Sequence, residues 1–378
     1  MTTGTTQLTR LHIKGFRSLK DVTLHLGPIN VLIGPNGAGK SNLLTALRLI
    51  PLMRTQSLRR FVGEQGGASA LLHFGPSTTR EIEFDLDFAV DAGSNGYHAH
   101  LGYAAHDSLI FLDESVQYSK ADQPSPLTIS LGAGHTESLL AERAAGSPQA
   151  KTERALDRLV ARMSFYHFHD TSLTSPLRQN AVRADDRYLR SDGSNLASVM
   201  YRLKMSESAD LRPAWNRIEG LVRSIAPFIA TLEPALVAPE APNSAVRLYW
   251  TDVRGHRLDV HDLSDGTLRA VALIVALAQP ASALPAFITV DEPELGLHPA
   301  ALALVASLVR SVSAHSQIVL STQSTALLDE FEPEQVIVVE QRDGQSAFER
   351  LKLAELEGWL AEYSLSELYD KNVLGGRP

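Results

Sequence analysis

The sequence contains no cysteine among its 378 residues. Disulfide bonds and thiolate metal sites are therefore excluded, and the composition fits a cytoplasmic protein. Long hydrophobic runs are missing as well, because no stretch of about 18 apolar residues is present to span a bilayer. The start, MTTGTTQLTR, also lacks the apolar segment of a secretory signal. We therefore expect a cytoplasmic protein that does not associate with a membrane.

The sequence also has no strong excess of positive charge. Its 35 Lys and Arg against 43 Asp and Glu give a net charge of −8, which argues against a surface coated in positive charge for nucleic acid. Positive charge is concentrated in residues 151–223, which hold 13 Lys and Arg against 9 Asp and Glu. This middle region would tolerate a polyanion best, although a solvated helical surface explains the same composition. The hydrophobic content of 44% indicates a globular protein with a sizeable core.

A glycine-rich segment, GPNGAGKS, occupies residues 34–41 between the apolar run INVLI and the helix-like NLLTALRLI. Glycines let backbone N–H groups turn inward at the positive end of a helix dipole. Lys40 would then reach the β and γ phosphates, and Ser41 would hold Mg²⁺. A simple glycine turn is the alternative, but the complete pattern with its flanks predicts a nucleoside triphosphate site. The residues predicted to contact the nucleotide here are Gly34, Pro35, Asn36, Gly37, Ala38, Gly39, Lys40, Ser41 and Asn42.

Hydrophobic periodicity divides the chain into regions. Period-two alternation in EIEFDLDFAV, YHAHLGYAA and SLIFLDESVQYS predicts an antiparallel sheet with one solvated face. A helix is expected from about residue 42 to residue 52, ending near Pro51. Strands that alternate with helices after residue 267 predict a parallel sheet. The predicted regions are an N-terminal core part with the phosphate loop and a β subdomain (1–119), a flexible loop rich in Pro and Gly (120–150), a mainly helical lobe (151–240) and a C-terminal core part (241–378).

The predicted strand AFITVDEPE ends in two acids, Asp291 and Glu292. Active sites of parallel sheets lie at the carboxyl ends of strands. Asp291 would therefore bind Mg²⁺ and Glu292 would be the general base, unless the pair is only a solvated turn. Upstream, LSDG places Ser264 and Gly266 at the start of an apolar helix, which by itself indicates no more than an N-cap.

The order of phosphate loop, long insertion, LSDG and DEPE resembles the ABC-type ATPases, specifically the SMC, RecF and OLD-like group of stand-alone ATPases. The resemblance covers the N-terminal 55 residues and residues 262–340. It implies an α/β P-loop NTPase fold of the ABC-ATPase type with an inserted β-plus-helical lobe, without a topoisomerase-primase nuclease domain. It further implies ATP and Mg²⁺ as cofactors and a head-to-tail homodimer, in which Ser264 and Gly266 contact the γ phosphate across the interface.

Two positions depart from the pattern of this group. Asp265 stands in the signature where glycine is usual, which places a carboxylate near a phosphate unless it turns away. Gln323, at the end of QIVLSTQS, stands where many relatives have a histidine. A glutamine can hydrogen-bond the γ phosphate or the attacking water but cannot carry charge. The departure therefore predicts slow ATP hydrolysis with Gln323 in a catalytic role, unless its amide only caps the strand.

Several weaker candidates remain open. His167 and His169 lie two residues apart with Asp170 beside them, which suits Zn²⁺ or Mn²⁺, although packing is the favoured interpretation. His298 is expected at the dimer interface. A linking glutamine implied by the resemblance has two candidates, Gln56 and Gln65.

Three functions compete. The resemblance implies an ATPase in DNA repair, DNA sensing or anti-phage defence, which would bind double-stranded DNA through arginines of the middle lobe and act with a separately encoded nuclease or toxin. The alternative is an ATP-gated scaffold or regulator of such a partner without direct DNA binding. An ATPase subunit of a transporter is the least favoured, because of the large insertion and the RecF-like opening. The arginines assigned to DNA binding are Arg178, Arg183, Arg187 and Arg190.

Overall fold

The computed structural model describes residues 6–91, 93–121, 126–241 and 244–376. The strands are, in chain order, β1 (Gln7–Phe16), β2 (Leu19–His25), β3 (Ile29–Ile33), β4 (Glu81–Val90), β5 (Gly93–Ala104), β6 (Ser108–Lys120), β7 (Leu127–Gly132), β8 (Met163–Tyr166), β9 (Ala181–Val182), β10 (Ile229–Leu236), β11 (Ala245–Asp252), β12 (Arg257–Asp259), β13 (Phe287–Asp291), β14 (Gln317–Thr322), β15 (Val336–Arg342) and β16 (Gln345–Arg350). The helices are α1 (Lys40–Arg54), α2 (Leu58–Glu64), α3 (Leu140–Gly146), α4 (Lys151–Ala161), α5 (Leu196–Met205), α6 (Leu211–Ile225), α7 (Asp265–Leu277), α8 (Pro299–Val312), α9 (Thr325–Leu328), α10 (Leu353–Leu360) and α11 (Leu365–Asp370).

The chain forms two compact units. The first consists of Met1–Met163 and Glu332–Pro378, and the second is Ser164–Phe331. The first unit contains an antiparallel sheet with the strand order β2-β1-β4-β5-β6-β7. Burial alternates along β4, so that one face packs on the core and the other meets solvent, as the period-two pattern predicts.

The strand that precedes the phosphate loop also lies in the first unit. All residues of β3 are buried. β3 pairs in parallel with β15, which pairs antiparallel with β16. A strand buried on both faces reads as a near-continuous apolar run. INVLI shows this apart from Asn30, whose side chain bonds to the backbone of Gly27. The C-terminal strands of the chain therefore support the N-terminal phosphate loop.

The second unit carries the acid pair. β13 pairs in parallel with β14, and β8 lies beside β13. A separate antiparallel group has the order β10-β11-β12, with β9 also paired to β11. The parallel pairing predicted for FITVDEP and QIVLSTQ is thus confirmed.

Helix α1 does not end near Pro51, as predicted, but runs to Arg54. Proline lacks the N–H that the helix needs and costs about 3 kcal/mol in a helix interior. Here the flanking residues Ile50 and Met53 are buried, and Thr55 N–H closes the last turn on Pro51 O at 3.2 Å. Burial of the apolar face therefore outweighs the proline penalty.

Residues 120–150, for which the sequence predicts a flexible loop, include the strand β7 and the helix α3. β7 pairs antiparallel with β6. Leu131 and Leu140 are each 1% exposed and anchor the two elements. Residues 122–125 of this stretch lie outside the described part of the chain.

The lobe predicted as mainly helical is interrupted. Helical structure covers α4, α5 and α6, whereas residues 162–195 are largely irregular with the short strands β8 and β9. Asn195 shows how this stretch is held, because its Nδ2 donates to Asp185 O (2.9 Å) and Tyr188 O (2.8 Å). Such bonds between side chains and backbone leave no hydrophobic period in the sequence.

Candidate nucleotide and acid-pair sites

The predicted nucleotide residues form one continuous loop in the first unit. Residues 34–39 connect β3 to α1, and α1 begins at Lys40. Gly37 and Gly39 have φ angles of 81° and 112°. These are conformations that glycine adopts without a Cβ penalty. The loop therefore places the N-terminus of α1, whose N–H groups point along the helix axis, in the geometry that anion binding uses.

Close packing beneath the loop explains Gly34 and gives a second reason for Gly39. A Cβ on Gly34 would lie 2.2 Å from Val339 O, and a Cβ on Gly39 would lie 1.8 Å from Ser346 Oγ. Ser346 is 6% exposed and donates from Oγ to Ala38 O at 2.7 Å. Sequence reasoning did not identify Ser346, because no motif surrounds it.

Lys40 is folded into its own loop. Its side chain is 5% exposed, and Nζ donates to Gly34 O (2.5 Å) and Pro35 O (3.1 Å). The loop carbonyls thus hold the ammonium group at the N-terminus of α1. An ammonium at this position adds positive charge to the helix dipole.

Gln65, one of the two candidate linking glutamines, is connected to this loop. Arg17 donates from Nη2 to Gln65 Oε1 (2.5 Å) and from Nη1 to Asn42 Oδ1 (3.5 Å). Phe16 is fully buried and belongs to the core. The structure therefore favours Gln65 over Gln56, which lies just beyond α1.

The acid pair in the second unit stands at the carboxyl end of β13. Asp291 is the last residue of β13 and is aligned with Ser321 on β14. Glu292 follows with a φ of 46°, and its N–H donates to Ser321 O at 2.8 Å. The positive φ turns the chain sharply at the strand end and separates the directions of the two carboxylates.

His167 and His169 lie against these two acids. His167 Nδ1 is 3.4 Å from Asp291 Oδ2, and His169 Nε2 is 3.6 Å from Glu292 Oε2. The two imidazole rings stack with centroids 3.8 Å apart. Burial alone would raise the pKa of Asp291, but the contact with His167 and the neighbouring His169 outweigh it, so the pKa lies below its usual value. The interpretation of these histidines as packing residues missed this contact, which joins positions more than 100 residues apart.

Asp170 is not part of that cluster. Its Oδ1 accepts from Ser172 N–H at 3.0 Å, in a local turn. The acidic partners of the histidines are Asp291 and Glu292 instead of the neighbouring residue that the spacing suggested.

Gln323 contacts Glu292 directly. Gln323 Nε2 donates to Glu292 Oε1, and its backbone N–H donates to Glu294 Oε1 at 2.8 Å. The glutamine therefore fixes the orientation of the predicted general base.

The signature residues open helix α7. Ser264 is the N-cap, and its Oγ accepts from Thr267 N–H at 3.3 Å. Gly266 packs against a turn, since a Cβ there would lie 2.1 Å from Gly296 O. The carboxylate of Asp265 turns away to accept from Arg178 Nη2 at 2.9 Å.

Arg178 is not available for DNA, and the assignment of this residue to DNA binding is wrong. Its side chain is 3% exposed and donates to Thr171 O, Val260 O and Leu263 O at 2.7 to 3.0 Å. Arg190 pairs with Asp185 at 2.7 Å. Arg183 and Arg187 are exposed.

A strand-to-helix phosphate loop in one unit and a strand-end acid pair with its glutamine in the other define a P-loop ATPase of the ABC type. A family model described as "AAA domain, putative AbiEii toxin, Type IV TA system" matches residues 29–329, and the chain belongs to this family. Part of the chain is similar in sequence to OLD and RecF proteins, and its fold is similar to that of SMC heads.

Two curated relatives show the sequence similarity. The chain is 42% identical over 81 residues to an OLD nuclease of Thermus scotoductus, which covers 21% of this chain and 14% of that protein. It is 38% identical over 96 residues to the DNA replication and repair protein RecF of Magnetococcus marinus, which covers 23% of each. The chain thus spans less than a quarter of the length of these relatives.

Solved structures share the fold. An SMC head bound to the C-terminal winged-helix domain of ScpA matches with a TM-score of 0.60 at 16% identity, over 93% of this chain and 99% of that one. An SMC head with an extended coiled coil from Pyrococcus furiosus matches with a TM-score of 0.57 at 16% identity, over 94% and 99%. The chain therefore has the ABC-ATPase head fold. Among the described residues, no helix combines the length and the apolar character needed to cross a bilayer.

Proposed function

We propose that this chain binds and hydrolyses Mg-ATP and that ATP binding joins two copies head to tail, in DNA repair, DNA sensing or anti-phage defence with a partner effector. The observation that carries the proposal is the complete phosphate loop, with Lys40 at the N-terminus of α1. Lys40 and the backbone N–H groups would neutralise phosphate charge. Family membership implies nucleotide binding by this loop.

The donors available for a metal ion suit Mg²⁺, which prefers oxygen ligands. Ser41 supplies a hydroxyl and Asp291 a carboxylate whose pKa lies below its usual value, so that it stays ionised despite its burial. When bound, Mg²⁺ would neutralise charge on the phosphates. Each of these two residues is proposed as an Mg²⁺ ligand, as the resemblance to ABC-type ATPases implies.

Glu292 would accept the proton of the attacking water. Its Oε1 already receives a hydrogen bond from Gln323, which leaves Oε2 for the water. Gln323 has no titratable proton. It would therefore position the attacking water without transferring a proton, which supports slow turnover.

Ser264 and Gly266 would complete the nucleotide site of the second copy. Ser264 is exposed at the N-terminus of α7, a helix of 13 residues. Asp265, the acid that would repel a phosphate, is neutralised by Arg178. This arrangement supports anion contact at the signature despite the acidic residue.

Size analysis of Glu292→Gln with and without Mg-ATP tests the proposal. The variant retains nucleotide binding but lacks the base, so we expect it to double in mass only with Mg-ATP. The control Lys40→Ala/Glu292→Gln should stay a single copy. A Glu292→Gln protein that takes up ATP yet stays single would disprove the dimer switch, and one that takes up no ATP would disprove the nucleotide site.

The alternative is an ATP-gated scaffold of a toxin or nuclease partner that does not touch DNA. The burial of Arg178 favours this alternative, because it removes one of four arginines assigned to the duplex. The family description, which names a toxin, favours it as well.

A further inference from the structure

The second unit contains a group of side chains that the proposed ATPase does not fully use. His167, His169 and Asp291 each offer one donor atom, and these atoms all lie within 4.8 Å of one another. Two imidazoles and one carboxylate form a mixed N₂O donor set. We propose that His167, His169 and Asp291 bind a divalent first-row transition metal ion, of the class of Zn²⁺ and Mn²⁺.

The separation of the donors supports a metal more than a direct hydrogen bond. His167 Nδ1 and Asp291 Oδ2 are 3.4 Å apart. Hydrogen bonds between nitrogen and oxygen are typically about 2.7 to 3.2 Å long. In a tetrahedral site with metal–ligand bonds of about 2.1 Å, donor atoms lie about 3.4 Å from one another. The pair is therefore spaced as two ligands of one ion.

A buried atom without a hydrogen bond points to the same place. Among the described residues, His169 Nε2 is buried and has no hydrogen-bond partner, although it faces Glu292 Oε2 at 3.6 Å. Leaving a buried imidazole nitrogen unsatisfied keeps the full cost of its desolvation. Coordination of a metal ion by the ring would remove that cost, and so would a water shared with Glu292.

Other residues hold residues 167–169, the histidine segment, in place. Arg269 on α7 donates to Phe168 O (3.1 Å) and His169 O (2.7 Å). His167 N–H donates to Ser191 O at 3.1 Å. These bonds fix the backbone on both sides of the two rings, so that the ligands are preorganised and little ordering is needed on binding.

The nitrogen donors define which ions fit. Imidazole suits Zn²⁺ and other first-row transition metals and the carboxylate suits Mn²⁺, whereas Mg²⁺ favours sites made of oxygen. The inference stands apart from the proposed ATPase, because it requires neither nucleotide nor the phosphate loop. Asp291 serves both proposals, so nucleotide is left out of the test.

The experiment titrates the nucleotide-free full chain with Co²⁺, whose visible absorption reports nitrogen ligation, and then displaces Co²⁺ with Zn²⁺. We expect one equivalent to bind and His167→Ala to weaken binding at least tenfold, since even indirect partners of a metal ligand change affinity by about 10 to 100-fold. His167 has a side chain that is 58% exposed, so the substitution should not unfold the protein. His169→Ala is the second variant, and circular dichroism checks the folding of both.

His100→Ala is the matched control, because His100 with Glu81 and Glu83 forms the other group of candidate ligands among the described residues. It should bind Co²⁺ as the unsubstituted chain does. Equal affinity in His167→Ala and the unsubstituted chain would overturn the proposal, as would loss of binding in His100→Ala alone, or displacement of Co²⁺ by an equal concentration of Mg²⁺. ATP uptake by the unsubstituted chain is measured in parallel, with Lys40→Ala as the control, so that a failure of the nucleotide site is seen separately.

Discussion

The buried guanidinium of Arg178 connects three segments of the second unit. It donates to backbone carbonyls of Thr171, Val260 and Leu263 and to the carboxylate of Asp265. A buried carbonyl that loses its donor keeps the full cost of its desolvation. Arg178 therefore helps to fix the signature loop relative to Thr171, beside the histidine segment that Arg269 also holds.

We expect Arg178→Ala to destabilise the second unit by about 3 kcal/mol, because buried carbonyls and one carboxylate lose their partner. Urea unfolding followed by the fluorescence of Trp215 and Trp250, both buried in this unit, measures the effect. The exposed Arg183→Ala is the control and should change the free energy of unfolding by less than about 0.5 kcal/mol. Equal midpoints for the two variants would show that Arg178 has no structural role.

At the scale of elements, strands β1, β4 and β5 bring a carboxylate between two histidines. Asp85 is aligned with His12 on one side and His98 on the other. Asp85 Oδ2 lies 2.9 Å from His12 Nδ1, and Asp85 Oδ1 lies 2.6 Å from His98 Nδ1. The bond from His98, aided by His12 and opposed by burial, lowers the pKa of Asp85 to about 2.

This row of side chains predicts a pH dependence for the first unit. The bond to Asp85 raises the pKa of His98, and bonds to Asp85 and Asp21 raise that of His12 despite its burial. A raised histidine pKa stabilises the fold below about pH 6.5, and this contribution is lost as pH rises through the folded value. The lowered pKa of Asp85 stabilises the fold above about pH 4 and is lost as pH falls towards 2.

We therefore expect this row of side chains to contribute most to the free energy of unfolding between about pH 4 and 6.5. The measurement compares urea unfolding of the natural chain and Asp85→Asn at pH 6 and pH 8. The difference in stability between the two proteins should shrink as the pH rises. The titration of other histidines affects both proteins equally and cancels in that difference. A difference that stays constant over this range would contradict the prediction.

The local sequence pattern predicts strands and helices well where the spacing of hydrophobic residues determines them. Alternation in β4 and β6 and the apolar runs of β3 and β13 all correspond to strands in the structure. It fails in residues 162–195, where side-chain bonds to the backbone hold the chain. It also fails for the approach of His167 to Asp291, because a contact between distant positions leaves no trace in local spacing.

At the scale of the whole molecule, the first unit is built from both ends of the sequence. Val339 and Ser346, from the C-terminal strands β15 and β16, form the floor against which Gly34 and Gly39 pack. The phosphate loop motif is thus local in sequence, but its shape depends on residues about 300 positions away. The motif still identifies the nucleotide loop without knowledge of Val339 and Ser346. Its glycines are themselves the residues that such close packing requires.

Exposed arginines of the second unit make its binding to DNA testable. Of the four arginines assigned to DNA binding, Arg183 and Arg187 are exposed and have no ion pair with a carboxylate of the described residues. Each stacks on a tyrosine, at 5.8 Å and 5.2 Å. If the trapped Glu292→Gln dimer binds duplex through them, Arg183→Ala/Arg187→Ala should weaken binding. A plot of the logarithm of affinity against the logarithm of salt concentration should then have a slope smaller in magnitude by about 2, because each phosphate contact contributes roughly one.

Arg310→Ala, which removes an exposed arginine outside residues 151–223, is the control. Unchanged duplex binding in the double variant would exclude this surface, and no duplex binding by the trapped dimer would select the scaffold that acts on a protein partner alone.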